Sequence, residues 1–421
     1  MIETTELLPG VTLRCYTDSR FKQGCLSFQL VRPMVAEEAA LNALLPAVLL
    51  RGCRQYPDLR AITNRLDALY GASVGALVRR VGDYQTTGLH CGFMEDRFAL
   101  EGDAIFAPMV DLLRQLLLEP ILEGKSFNRE FVDSEKKNLI ATIEAERNDK
   151  RAYAASRLMK LMCKDDSFGI PRLGEKEQVA AITAEGLYAH YQKILHSSVV
   201  ELFYVGSFDA AKVAELTRPL LADLQRNPEK LPAQTPFHAC PESDNQEEMD
   251  ITQAKLCMGF VTPVINQSPD FAAMQVLNMV FGGGMTSKLF MNVREKMSLC
   301  YSIGSGYHGS KGILTVSAGI DTEQYDKVRQ EVLAQLDACC RGDITDDELI
   351  SAKEAILSSL RGVTDSPGAI ENYCITSTLS GLPLSVPEYM TAVAAVTTQQ
   401  VAAVAKTVKL HTSFFLKGVG V

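Results

Sequence analysis

Metal or proton chemistry needs imidazoles, thiolates or carboxylates at workable spacing, and this chain offers few such arrangements. Among its 6 histidines the closest pair is His190 and His196, a spacing that on a helix sends the two rings in different directions. His90 and His308 stand isolated near segments that read as strands, so no metal site assembles from these residues. The 11 cysteines are scattered with no Cys-x-x-Cys pair, which fits reduced thiols in a reducing compartment better than a disulfide framework. Cys339-Cys340 reads most simply as two helix residues. The triplet Gly282-Gly283-Gly284 would cradle a phosphate only with a strand before it and a Lys-Ser/Thr pair after its last glycine, and Met285-Thr286-Ser287-Lys288 does not supply that spacing. It reads instead as a tight passage between a helix ending near Phe281 and another beginning near Ser287, with Thr286 or Ser287 as N-cap. No nucleotide is assigned.

The elements that must position these residues belong to an ordinary globular chain. With 421 residues, 47% hydrophobic and 22% charged, it is long enough for about two to four domains with sizeable cores. A formal charge of −9 and no outstanding Lys/Arg cluster argue against a nucleic-acid or anionic-membrane surface, and Lys136-Lys137 reads as a solvated helix face. The N-terminal Met1-Ile2-Glu3-Thr4-Thr5-Glu6 is acidic where a signal peptide would be basic, and no apolar run reaches the roughly 18 residues of a membrane span. The expected location is cytoplasmic.

The chain repeats itself. Leu195-His196-Ser197-Ser198-Val199-Val200 leads into Phe203-Tyr204-Val205-Gly206, and about half a chain later Leu410-His411-Thr412-Ser413-Phe414-Phe415 leads into Lys417-Gly418-Val419-Gly420. Glu130-Phe131 through Ile143 matches Glu348-Leu349 through Arg361 at nearly the same offset, both with apolar positions at helical spacing. Two copies cannot form a solenoid, so the expectation is two homologous α+β domains. His196 and His411 occupy equivalent places in the repeats, which favours a structural role over a ligand role. Residues 226–250, with Pro228, Pro232, Pro236 and Pro241 among polar residues, read as a linker between a first domain, 1–225, and a second, 251–421.

Within the first copy, Val11 to Cys15 and Cys25 to Val31 alternate as a hairpin would. Glu37 to Arg51 and Asp58 to Ala68 read as helices, the latter stopped by Leu69-Tyr70-Gly71. Ala72 to Val81 and Tyr84 to Gly92 form a hairpin around Gly82-Asp83, Ile105 to Leu117 and Phe131 to Asn148 are amphipathic helices, and Val199 to Val205 is a closing strand. The second copy repeats the plan from Ala254 to Phe260. Strands and helices are segregated rather than alternating, which predicts α+β domains, each a mostly antiparallel sheet with helices packed on one side.

The run Asn278-Met279-Val280-Phe281-Gly282-Gly283-Gly284-Met285-Thr286-Ser287-Lys288-Leu289-Phe290, continuing through Val293-Arg294-Glu295-Lys296 to Leu299-Cys300-Tyr301-Ser302, resembles the C-terminal-domain signature of small M16 peptidases, the pitrilysin and insulinase type. Thr183-Ala184-Glu185-Gly186-Leu187 through Gly206 is similar to the family's segment before the closing strand of its first domain. In that family the first domain carries His-x-x-Glu-His on a helix and a further glutamate on a second helix. Two imidazoles one turn apart and a carboxylate leave the fourth zinc position open for water, and the motif glutamate is the general base.

Aligned on Arg51-Gly52, this sequence places Ala43 and Ala47 where the histidines would be and Pro46 where the base would be, and none of these can ligate a metal or take a proton. In the second helix the frame from Glu135-Lys136-Lys137 through Ile143 puts Thr142 at the remaining ligand position, with Glu144 close by. Inside a helix from Glu37 to Arg51, Pro46 would delete a backbone hydrogen bond and kink the helix; otherwise it is the first residue of a short helix starting there.

The resemblance therefore implies a catalytically inactive subunit without zinc or other cofactor. It would pair with a zinc-bearing homologue, or with itself, around unfolded peptide. Arg294 and Tyr301 match the family's substrate-holding pair, and Gly282, Gly283 and Gly284 form part of that substrate side. A guanidinium can donate to peptide carbonyls and a phenol can stabilise an oxyanion; alternatively, Arg294 pairs with a neighbouring carboxylate and Tyr301 packs in a core. A stand-alone peptide- or protein-binding scaffold, or a subunit of a processing or modification pathway, is the other functional class.

Overall fold

A computed structural model of the chain describes residues 2–237 and 243–418. They fall into two compact units that do not follow chain order. The first takes Met1–Glu144, Ile170–Ala233 and Thr364–Thr376; the second takes Ala145–Gly169, Gln234–Val363 and Ser377–Val421.

The first unit is built on a six-stranded sheet in the order Ile2–Leu8, Val11–Thr17, Val199–Gly206, Gln23–Pro33, Tyr84–Met94, Ser73–Val81. The strand Val199–Gly206 runs parallel to Val11–Thr17 and antiparallel to Gln23–Pro33. The hairpin expected between Val11–Cys15 and Cys25–Val31 does not form, because this closing strand inserts between them. Its buried residues, Val200 through Gly206, need a partner on both edges, which a sheet interior supplies. The second hairpin forms as expected: Val81 faces Tyr84 across Gly82-Asp83, with Gly82 at φ 59°.

One face of this sheet is covered by Ala36–Leu49, Phe106–Leu118 and Ala184–Ser197, whose Leu44, Leu113 and Leu187 are fully buried with Phe28 and Leu202 of the strands. Against the other face lies the beginning of the helix Pro367–Ser380, with Ile370 and Cys374 packed on Cys25, Phe203 and Val205.

The second unit repeats the plan with five strands: Ser243–Met249, Lys409–Gly418, Ala254–Val261, Ile313–Ile320, Ser302–His308. Its first strand lies within the 226–250 segment. Ser243–Met249 pairs in parallel with the closing strand, and its side chains, polar except for Met249, are half-buried or exposed in turn. On one face of this sheet sits the helix Lys150–Met162, whose Ala154 and Leu158 bury against Cys257, Phe414 and Leu416. Each sheet is thus packed by a helical segment from the other half of the chain. Among the described residues no helix is long and apolar enough to cross a membrane.

Candidate functional site

The helix expected over Glu37–Arg51 spans Ala36–Leu49. Ala43 and Pro46 are buried and Ala47 is half-buried, so these positions present methyl and ring carbons. The structure places Pro46 inside the helix and not at its start: the helix begins nearly three turns earlier, at Ala36, and runs through the proline, with the Leu50 N–H donating to the Pro46 carbonyl at 3.1 Å. Pro46 cannot donate to the carbonyl of Asn42, one turn back. That carbonyl instead accepts from the Thr87 hydroxyl at 2.6 Å, a buried hydrogen bond from the neighbouring strand. The missing helical bond is replaced, and the helix survives.

The Asn42 side chain anchors a buried polar network that the sequence reading did not anticipate. Its Nδ2 donates to Gln85 Oε1 at 2.9 Å and its Oδ1 lies 2.7 Å from His190 Nε2. Gln85 in turn donates to the carbonyls of Ala39 and Arg172 at 3.1 and 2.7 Å. Burial pushes the His190 pKa down to about 4, so the ring is neutral and its Nε2–H serves Asn42. At the same helix, burial favours the protonated form of Glu38, but hydrogen bonds from Arg32 and Lys193 outweigh it and hold the carboxyl below its usual range. The legible signal was Asn42 itself, a polar residue inside an apolar helical run, four residues before a proline.

On the second helix, Arg129–Asn148, Thr142 is exposed and its hydroxyl donates to the Asn138 carbonyl of its own helix at 2.9 Å. Glu144 is exposed and pairs with Lys176 at 3.3 Å. The anchor residue Arg51 ties the two helices together, 3.3 Å from Glu135 and 5.3 Å over the Phe131 ring. Among the described residues there is no group of three or more His, Cys, Asp or Glu placed to hold a metal. His190 is buried and His196 exposed on one helix, and His411 is buried with its Nδ1 2.7 Å from Thr412 Oγ1.

The glycine triplet and the residues after it lie in the second unit. The helix Phe271–Asn278 continues into wider, π-type turns over Met279–Gly283, and a second π-wound segment covers Leu289–Lys296. Gly282 is required by close approach: a Cβ there would come within 2.8 Å of Leu289 Cδ1 and of Ser305 Oγ. Ser287 caps the second segment, its Oγ accepting from the Phe290 N–H at 3.4 Å.

Arg294 projects from that segment, its guanidinium 4.6 Å over the Phe290 ring and 3.6 Å from Glu295. A left-handed turn at Ser298, φ 52°, reverses the chain, and the Tyr301 N–H then joins the sheet at the Gly319 carbonyl. The Tyr301 side chain is not in a core. It is 59% exposed, and its hydroxyl donates to Asp321 at 3.1 Å. That carboxylate raises the phenol pKa, so Tyr301 stays a donor at neutral pH. Exposed Met285 and Met291 precede Arg294 in the sequence, and exposed Met297 lies between it and Tyr301.

Comparison with known proteins agrees with this architecture. Residues 181–356 match the family described as the peptidase M16 inactive domain. A probable inactive metalloprotease of Bacillus subtilis strain 168, YmfF, is 28% identical over 409 residues, covering 97% of this chain and 96% of that protein. The crystal structure of a conserved protein from Enterococcus faecalis V583 superposes with a TM-score of 0.92 at 27% identity, covering 99% of both chains. The peptidase M16 inactive domain from Pseudomonas fluorescens, at 18% identity, shares the fold with a TM-score of 0.82 over 100% of this chain and 98% of its own. Over nearly its whole length the chain is therefore similar to inactive homologues of the M16 peptidases, and residues 181–356 carry that family's inactive-domain pattern.

Proposed function

We propose that this protein is the non-catalytic subunit of a two-subunit M16 peptidase. It pairs with a zinc-bearing homologue, encloses unfolded peptide and supplies Arg294 and Tyr301 to the partner's site. The observation that carries this reading is the contrast between the two copies. The helix Ala36–Leu49 offers only carbon at its chemical positions, whereas the second copy keeps a half-buried Arg294 and an exposed Tyr301 whose donors are held by surface carboxylates. A guanidinium stacked on Phe290 loses little freedom on binding a carbonyl, and a phenol held protonated can pass its hydrogen bond from Asp321 to a developing oxyanion.

The test is peptide turnover by the reconstituted pair. The chain alone is expected to be inactive. Arg294→Ala or Tyr301→Phe should lower the pair's kcat/KM by roughly 10- to 1000-fold, the scale of a lost transition-state donor. Assembly, read from elution volume, should not change. Full activity in both variants would reject the reading and favour a peptide-binding scaffold without a peptidase partner.

A further inference from the structure

Lys288 is an unusual residue to find in its place. It opens the π-wound segment that carries Arg294, yet it is only 6% exposed. Its ammonium donates to both oxygens of Glu348, at 2.9 and 3.0 Å. Glu348 is itself fixed, accepting from the Thr345 N–H at 2.9 Å at the start of the helix Asp346–Val363. A second tie follows one turn later, where Asn292 donates to Gln335 of the helix Tyr325–Arg341 at 2.8 Å, and Gln335 donates to Glu331 at 2.6 Å.

A buried ion pair adds little net stability over a well-packed apolar pair, since desolvation offsets its attraction. What it adds is register. Wide turns are rare and compete with ordinary α-winding, and a slip of one residue rotates a side chain by about 100° around the axis. Such a slip would leave the apolar residues Leu289 and Val293 partly buried but would swing the half-buried Arg294 away from Phe290 and Glu295. A flexible apolar side chain at 288 would not resist it; a lysine held by two oxygens does.

We propose that Lys288, clamped by Glu348 and assisted by Asn292, is a positioning residue that sets the winding of the 289–296 segment and so aims Arg294. The aiming rests on the peptide-binding role proposed above; the winding does not. Two measurements separate them. In hydrogen exchange of the chain alone, Lys288→Met should speed deuterium uptake over 289–299 by at least about tenfold while uptake in the strand Ile313–Ile320 is unchanged. The exchanged pair Lys288→Glu with Glu348→Lys should restore protection. Unchanged uptake in Lys288→Met overturns the proposal, and so does faster uptake throughout the unit, which would make the clamp a general stabiliser. In the reconstituted pair, Lys288→Met should lower kcat/KM, and adding it to Arg294→Ala should cause no further loss, because Lys288 acts through Arg294. Additive losses overturn the aiming role. If the wild-type pair turns over no peptide, the proposed function falls, and the exchange measurement alone decides the clamp.

Discussion

The replacement of one helical hydrogen bond by Thr87 leads to a sharp expectation. Thr87 is 1% exposed, and its hydroxyl lies 2.6 Å from the Asn42 carbonyl that Pro46 leaves without an N–H partner. Thr87→Val keeps the shape of the side chain and removes the donor, stranding a buried carbonyl at a cost of about 1–3 kcal/mol. Pro46→Ala returns an N–H at position 46 to the same carbonyl. In that background Thr87→Val should cost less than about 1 kcal/mol, since the carbonyl is now satisfied within the helix. The two substitutions should therefore couple by about 1–2 kcal/mol in a double-mutant cycle. Urea unfolding followed by far-UV circular dichroism supplies the four free energies. Equal costs of Thr87→Val in both backgrounds would refute the account of how the helix tolerates its proline.

Three other perturbations follow from the same geometry. Glu371 is fully buried and accepts from Ser27 at 2.7 Å, Gln29 at 2.9 Å and both Arg79 terminal nitrogens at 2.8 and 2.7 Å. Glu371→Ala should lower stability in urea by about 3 kcal/mol, with Arg79→Met plus Glu371→Leu recovering most of the loss; no recovery would mean the ion pair itself matters less than the packing. Ser298 holds φ 52°, so Ser298→Gly should be neutral within about 0.5 kcal/mol and Ser298→Val should cost about 1–2 kcal/mol, and equal tolerance of the two would argue against a left-handed turn there. Ala43→His, Pro46→Glu and Ala47→His together should not hold zinc stoichiometrically through dialysis, because Thr142 and Glu144 are exposed and bonded to Asn138 and Lys176. Elemental analysis checks this, and full zinc occupancy in the triple variant would show that a third ligand is already in place.

What the sequence made legible is whatever is local. The helix expected over Glu37–Arg51 is Ala36–Leu49, that over Phe131–Asn148 is Arg129–Asn148, and the Gly82-Asp83 turn joins the two strands assigned to it. The duplication also survives in three dimensions, because the last five strands of the first sheet and all five of the second follow one order. What failed was anything decided by a distant partner. Alternation in Val11–Cys15 and Cys25–Val31 identifies strands but not neighbours, and a strand from residue 199 onward separates them. Ser243–Met249 carries no apolar alternation, since its residues are only half-buried or exposed in turn.

The same division runs through the site. The absence of ligands at Ala43, Pro46, Ala47 and Thr142 is a matter of residue type and could be read directly. The exposure of Tyr301 could not be, nor could the winding of the segment that carries Arg294, which is tied to Glu348 and Gln335 from helices that follow later in the chain. Pro46 shows why type alone misleads. In isolation a proline at that position breaks a helix, at a cost of about 3 kcal/mol. Beside a strand that places the Thr87 hydroxyl on the orphaned carbonyl, the same residue is accommodated. The helix keeps its shape around the proline, and that shape supports the sheet, the Asn42 network and the Arg51–Glu135 tie. The physical role of the helix is therefore the stability of the unit, which needs no metal ligand at positions 43, 46 or 47.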